Sequence, residues 1–170
     1  KEFLFKVYML TLMIPGQVTM IPVFIIMKKL GLLNTYFALV VIILNAFGVF
    51  LIRQFMESVP DELLEAAKVD GCPEYKIFIN IVIPLIKPVL VSLVVFTFVT
   101  SWNDFMWPLV STTDSSMYTL TVALSLLKTQ YQTNYGLILA GATVSFIFPF
   151  ILYAFLQKQF VEGIALSGVK

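Results

Sequence analysis

Four long apolar runs constrain this chain more than any other feature of its sequence. They cover residues 4–27, 36–56, 89–107 and 135–156. A helix of about 20 apolar residues is long enough to cross a hydrocarbon core of about 30 Å. Only 12% of the residues are charged, whereas a soluble domain has about 25%. The sequence therefore predicts an all-α, polytopic transmembrane helical bundle with these runs as its spans.

Two of the runs contain residues that disturb a helix. Pro15 and Pro22 interrupt the first run, and prolines in a span free backbone carbonyls that neighbouring helices or a wet cavity must satisfy. Gln17, beside this break, either belongs to a kink satisfied by packing or contributes to a binding site. In the last run, Pro149 predicts a second kink, and the small residues Gly141 and Ser145 favour close helix packing.

A polar island, residues 58–84, separates the second and third runs and predicts helix, tight turn, helix. Ser58 with Asp61 three residues later matches a capping box. Gly71 suits the left-handed residue that closes a helix. Pro73 suits the first turn of a second helix that runs to the end of the island.

Few polar side chains lie inside the runs. Asn45 is expected to hydrogen-bond a neighbouring helix, with a substrate contact as the alternative. Asn103 and Asp104 lie near the end of the third run, where Asp104 either lies at the headgroup boundary or faces a polar cavity. Trp102 and Trp107 are typical of an interfacial aromatic belt.

Apart from the polar island, the segment 108–134 is the only long polar stretch between runs. A short helix is expected to begin near Tyr118 or Thr119. The aromatic and amide side chains of the segment favour an ordered recognition loop over a disordered one. The tail, residues 157–170, is polar. Because the chain starts at Lys1 without an initiator methionine or signal peptide pattern, we expect it to begin inside a longer protein.

Several function classes are disfavoured by composition. The sequence has no histidine, which removes the commonest general base, and Cys72 alone forms neither an intrachain disulfide nor a cysteine metal cluster. A net charge of +1 without a polybasic tract gives no indication of nucleic-acid binding. Catalysis by this chain is therefore not expected.

The positive residues predict the orientation of the chain. With the polar island in the cytoplasm, eight of the eleven Lys and Arg residues lie inside and three outside, in agreement with the positive-inside rule. The three outside are Lys28, Lys29 and Lys128. The island and the tail are therefore predicted to be cytoplasmic, and the segment 108–134 extracellular.

The island also resembles the EAA loop of ABC-importer permeases. The residues that carry the resemblance are Glu65-Ala66-Ala67, Asp70-Gly71, Ile81, Pro84 and Pro88. Further segments are similar to the carbohydrate-importer branch, specifically to the shorter permease of maltose and glycerol-3-phosphate importers. These segments are 14–18, 29–35, 101–105, 117–120 and 160–170.

This resemblance implies a type I ABC importer permease-like fold with six spans, of which this chain would hold the last four. It implies ABC ATPase subunits, a second homologous permease, an extracellular solute-binding protein, membrane lipid and a sugar substrate as partners, with ATP hydrolysed by a separate chain. No cofactor is implied. Five island residues would dock on the ATPase: Glu65, Ala66, Ala67, Asp70 and Gly71. The loop 111–134 would contact the binding protein, the tail would reach toward the ATPases, and Asn45, Asn103 and Asp104 are candidates for the translocation path.

Two rival functions have to be weighed. A secondary transporter driven by an ion gradient also uses broken helices, although the runs offer few ionisable residues for an ion or proton relay. A membrane enzyme is the least favoured class, since no carboxylate cluster lies at membrane depth.

Overall fold

The computed structural model describes residues 2–44, 46–127 and 135–168, with side chains up to residue 157. These residues confirm the all-α class. The α-helices are α1 Glu2–Leu10, α2 Gly16–Lys29, α3 Tyr36–Val41, α4 Ala46–Met56, α5 Asp61–Val69, α6 Glu74–Ile77, α7 Ile83–Leu85, α8 Lys87–Asn103, α9 Met106–Ser111, α10 Leu120–Leu126 and α11 Tyr135–Gly168. Short 3₁₀ turns occupy Thr11–Met13 and Ser115–Met117, and a π-helical turn occupies Phe78–Val82.

Helix α11 is the longest element. Its segment Tyr135–Gln157 has the length and apolar character of a membrane span and coincides with the last predicted run. The 34 residues of the helix extend about 51 Å at 1.5 Å per residue, which exceeds a hydrocarbon core of about 30 Å. The helix continues through Pro149 and takes in the predicted tail as far as Gly168.

The first predicted run consists of two helices. The segments Glu2–Met13 and Gly16–Lys29 meet at an angle of 104°. Ile14 is extended, with φ −88° and ψ 117°, because a residue that precedes proline is disfavoured in the helical region. The break predicted at Pro15 is thus a sharp bend between α1 and α2.

The second predicted run is also divided. Thr35 caps α3 by accepting a hydrogen bond from the Ala38 N–H at 3.2 Å, but this helix ends at Val41, and α4 starts at Ala46. Four β-branched residues, 40–43, lie at the division, and such residues have reduced helix propensity. Asn45 lies outside the described residues.

The third predicted run begins after a bend and ends at a break. The segments Glu74–Leu85 and Lys87–Asn103 meet at 70°. Pro84 and Pro88 flank this bend, and neither has an N–H to continue the helical ladder. Helix α8 then ends at Asn103, and α9 follows after two residues. Helix α9 was not predicted; Pro108 fits in it because the first-turn N–H groups need no intrahelical partner.

Helix α8 packs along α11, and a tryptophan joins the two. The indole N–H of Trp102 donates to the Ser145 carbonyl at 3.1 Å. That carbonyl would accept the N–H of residue 149 in a regular helix, but Pro149 has none. The Trp102 ring also lies between Phe98 and Phe148, at centroid distances of 5.3 and 5.5 Å. Trp102 thus satisfies the carbonyl that a proline in α11 leaves free.

The predicted close packing at Gly141 is confirmed. A Cβ at this position would collide with the Leu124 side chain of α10. Elsewhere α11 is lined with exposed apolar side chains, and its span-like segment has no buried residue. An apolar surface of this extent is typical of contact with lipid or with other chains.

A second long-range contact joins the α2–α3 turn to the segment after α8. Asn34, with φ 59°, accepts hydrogen bonds from the N–H groups of Thr113 and Asp114 through its Oδ1 atom, both at 2.9 Å. The Trp107 indole N–H donates to the Ala38 carbonyl at 2.8 Å. We call this contact the Asn34 junction (residues 34–38 with 107–114). Trp107 is only 5% exposed, so its indole faces the Ala38 carbonyl within α3 rather than the surface of the chain, and its place in an interfacial belt stays a prediction.

Candidate functional site

The polar island folds as predicted into two helices joined by a tight turn. The turn is a Schellman motif, in which Cys72 N–H donates to the Ala67 carbonyl and Gly71 N–H to the Lys68 carbonyl, both at 3.0 Å. Gly71 has φ 75°, the left-handed conformation expected of it. We refer to residues 61–77 as the α5–α6 hairpin.

The predicted capping box is wrong. Pro60 is the N-cap of α5 and makes no side-chain cap. The hydroxyl of Ser58 instead donates to the Phe55 carbonyl at 2.7 Å, so it belongs to the end of α4. Asp61 and Glu62 do lie in the first turn of α5, where the positive end of the helix dipole stabilises carboxylates.

The hairpin exposes most of the predicted docking residues. Glu65, Ala66, Asp70 and Gly71 are exposed, whereas Ala67 is only 7% exposed. Adjacent alanines in a helix point about 100° apart, which places Ala67 on the inner face of α5 while Ala66 faces outward. Four of the five residues are therefore accessible to a partner, and Ala67 packs inside the chain.

Sequence reasoning missed the apolar part of this surface. The side chain of Val69 is 88% exposed, and Leu63 and Tyr75 are exposed as well. An exposed apolar patch rimmed by charged residues is typical of a protein–protein contact. The signal was an apolar residue placed between Lys68 and Asp70, at the polar tip of the hairpin.

A second candidate site surrounds Asp104, where two cavities meet. One, of about 240 Å³, is lined by residues of α3, α8 and the segments on either side of α9. The other, of about 510 Å³, extends toward the start of α2 and includes Gln17. Ile42, Thr100 and Asp104 line both. Asp104 therefore lines a cavity, while its depth relative to the headgroup boundary stays a prediction.

The Asp104 side chain is held loosely. Its Oδ1 atom accepts a hydrogen bond from the backbone N–H of Trp107 at 3.4 Å, which is long. The backbone carbonyl of Asp104 accepts from the Thr121 hydroxyl at 3.0 Å. Asn103, next to it, points elsewhere: its amide donates to the Val99 carbonyl at 2.8 Å, and it lines neither cavity. The two neighbours therefore differ in what they can contact.

Comparison with known proteins gives a consistent result across the chain. Residues 1–165 match the family described as binding-protein-dependent transport system inner membrane component. The chain is 40% identical over its whole length to an arabinooligosaccharides transport system permease protein, AraQ, of Halalkalibacterium halodurans, covering 61% of that protein. It is 36% identical to the lactose transport system permease protein LacG of Rhizobium radiobacter, again over its whole length and 62% of the relative.

The name of a third relative contains a phosphorylated compound. The chain is 35% identical, over 96% of its length and 59% of the relative, to the sn-glycerol-3-phosphate transport system permease protein UgpE of Yersinia pestis. The chain thus spans about three fifths of the length of each of these relatives. With a family match over nearly all of its residues, the chain belongs to the binding-protein-dependent transport system inner membrane components.

Proposed function

We propose that this chain is part of the permease subunit of an ATP-driven, binding-protein-dependent importer of a sugar or oligosaccharide. The observation that carries the proposal is the α5–α6 hairpin, which exposes Glu65, Ala66, Asp70 and Gly71 beside the apolar Val69. Such a surface suits a groove on a cytoplasmic ATPase. The hairpin continues through α7 and a 70° bend into α8, so a force applied to it would reach the segment that lines the cavities.

The remaining partners follow from the same proposal. A second, related permease would complete the pathway, an extracellular binding protein would deliver the sugar near residues 111–134, and ATP would be hydrolysed by the separate ATPase chains. The hairpin and the end of α11 would face the cytoplasm. Asp104 is the described residue best placed to line the path, whereas Asn103 would contribute mainly through its bond to the backbone.

Co-purification tests the hairpin directly. The full-length protein is isolated gently from its native membrane as wild type, as Gly71→Val and as Gly71→Asn. Valine disfavours positive φ whereas asparagine tolerates it, so only the valine variant should lose the ATPase while it keeps the second permease. Wild-type protein that purifies alone, or a Gly71→Val variant that keeps the ATPase, would contradict the proposal.

Uptake separates the importer from its rival, the ion-gradient transporter. The complete importer is reconstituted in liposomes with its binding protein, and uptake of labelled arabino-oligosaccharide, lactose and sn-glycerol 3-phosphate is measured with ATP inside and no ion gradient. We expect ATP-dependent uptake of at least one of these compounds, abolished when the ATPase is inactivated. Uptake that depends on an ion gradient and ignores ATP would support the secondary transporter.

A further inference from the structure

We propose that Asp104 and the hydroxyl groups around it form a binding subsite for a neutral, polyhydroxylated ligand, a sugar rather than a sugar phosphate. This inference rests on the proposed importer function, and it assigns to this chain a direct part in choosing the substrate. Three features of the site support it: the hydroxyl groups of the cavity wall, the unused hydrogen-bonding capacity of the Asp104 carboxylate, and a lining without Lys or Arg among the described residues.

The smaller cavity is rich in hydroxyl groups. Its polar wall consists of Thr97, Thr100, Ser101, Asp104 and Thr119. A hydroxyl both donates and accepts, whereas a carboxylate only accepts. Such a wall complements a ligand whose own groups are hydroxyls, because a ligand O–H can donate to the carboxylate or to the Thr100 oxygen, whose own proton is used within α8, and can accept from Ser101.

The Asp104 carboxylate has capacity to spare for such a ligand. Among the described residues, its side chain accepts only one hydrogen bond, the long one from the backbone N–H of Trp107 at 3.4 Å. Hydrogen bonds from a ligand hydroxyl to an ionised oxygen are shorter and roughly twice as strong as those between neutral groups. A ligand that gives two hydroxyls to Asp104 would therefore gain more than this one long hydrogen bond contributes.

The charge of the cavity selects against anions. Among the residues that line the two cavities there is no Lys or Arg, and Asp104 forms no ion pair with any residue the structure describes. A phosphate group placed here would meet a like charge without a compensating cation, in a partly enclosed site where such repulsion is strong. The relatives' names give arabinooligosaccharides, lactose and sn-glycerol 3-phosphate. Of these compounds, this chain would favour the two neutral sugars.

The apolar part of the wall suits the same ligand. Leu39 and Ile42 line the smaller cavity together with the hydroxyl-bearing residues of α8, and Phe96 of α8 adds a third apolar side chain. Binding sites for small molecules are mostly apolar, with a few polar groups that fix orientation. A sugar ring has a C–H face for these residues and hydroxyl edges for Asp104 and Thr100.

Equilibrium dialysis without the binding protein tests the subsite itself. The purified complete importer, with both permeases and the ATPase, is dialysed against labelled arabinotriose or labelled sn-glycerol 3-phosphate. We expect wild type to bind arabinotriose at least tenfold more tightly than the phosphate. Asp104→Asn should weaken arabinotriose binding by about tenfold and narrow the difference between the two ligands.

A matched pair of threonines tests the cavity wall without changing the hydrogen bond between Asp104 and the Trp107 backbone. Thr100 and Thr143 are both exposed, and each donates its hydroxyl to the carbonyl four residues earlier at 2.8 Å, but only Thr100 lines the cavities. Thr100→Val should weaken arabinotriose binding several-fold, and Thr143→Val should leave it within twofold of wild type. Thr100→Val leaves the hydrogen bond between Asp104 and the Trp107 backbone intact, so this variant remains informative if Asp104→Asn lowers stability.

Three results would overturn the subsite. They are equal binding of the two ligands by wild type, no binding of arabinotriose by wild type, and an arabinotriose affinity that is the same in the Thr100 and Thr143 variants. If ATP-driven uptake by wild type persists in any of these cases, the subsite alone is wrong. If ATP-driven uptake is absent from wild type, the importer function itself is contradicted.

Discussion

The α5–α6 hairpin and the Asn34 junction differ in the sequence distance that their contacts span. The hydrogen bonds of the hairpin turn join residues three to five positions apart, such as Cys72 with Ala67. Those of the junction join Trp107 with Ala38 and Asn34 with Thr113, over 69 and 79 residues. The hairpin is therefore specified locally, whereas the junction forms only when distant parts of the chain are already in place.

The two regions also differ in what they leave unsatisfied. The hairpin closes its backbone hydrogen bonds internally and exposes side chains, with Val69 at its tip. The junction pairs its backbone N–H groups and the Trp107 indole with acceptors of its own and buries Trp107, although the Ser111 hydroxyl is buried there without a partner among the described residues. A region that is complete in its backbone but open at its surface is suited to bind a partner, and a region with internal partners is suited to hold helices together.

The largest effect is expected at the junction, from Asn34→Leu. Leucine removes the acceptor of two backbone N–H groups and is strained at positive φ, so we expect a loss of about 2–4 kcal/mol in unfolding free energy. Urea unfolding of the full-length protein in mixed micelles measures it. Asn34→Asp, which keeps an acceptor and tolerates this φ, should stay close to wild type. Equal losses in both variants would show that the junction does not depend on the acceptor.

At the hairpin, two neighbouring alanines should respond differently. Ala67→Leu overpacks a buried position and should cost about 1–3 kcal/mol, while Ala66→Leu, on the exposed face, should change stability by about 0.5 kcal/mol or less. Ala66→Leu should instead weaken co-purification with the ATPase. The melting temperature and the amount of bound ATPase are measured on the same samples. Equal melting temperatures for the two variants would contradict the assignment of inner and outer faces.

A smaller effect is expected where α8 meets α11. Trp102→Phe keeps a stacked ring but leaves the Ser145 carbonyl without its donor, which should cost about 1 kcal/mol. Pro149→Ala restores the backbone N–H that this carbonyl lacks, so the double variant should lose less than the sum of the two single changes. A double-mutant cycle measures the difference. Additive effects would show that the indole and the proline are independent.

The smallest effect concerns acid pH at the edge of the junction. The backbone N–H of Ser116, and then its hydroxyl, hydrogen-bond the Asp114 carboxylate and hold its pKa below the ordinary value of 3.8. A lowered folded-state pKa means that this stabilisation is present above the unfolded-state value and is lost as the pH falls through the folded-state value. The ¹³C shift of the Asp114 carboxyl should therefore titrate below pH 3.8, and a midpoint at or above 3.8 would contradict the contact.

Features encoded in short stretches were predictable from the sequence. The apolar runs gave the all-α class and located the span in α11, because bilayer thickness sets the length of a spanning helix. The turn at Gly71 was predictable because few residues other than glycine adopt positive φ readily. The break at Pro15 was predictable because proline removes a donor and restricts its predecessor.

Other features required the tertiary structure. The sequence does not distinguish Trp102 and Trp107 from interfacial tryptophans. Only the fold places their indole N–H groups opposite the Ser145 and Ala38 carbonyls, to which they donate. Asn103 and Asp104 were both candidates for the translocation path in the sequence; the end of α8 directs the Asn103 side chain to its own backbone and places Asp104 in the wall of the cavities. Hydrophobic length and backbone stereochemistry are local properties, whereas the partner of a polar group depends on which distant segment the fold brings beside it.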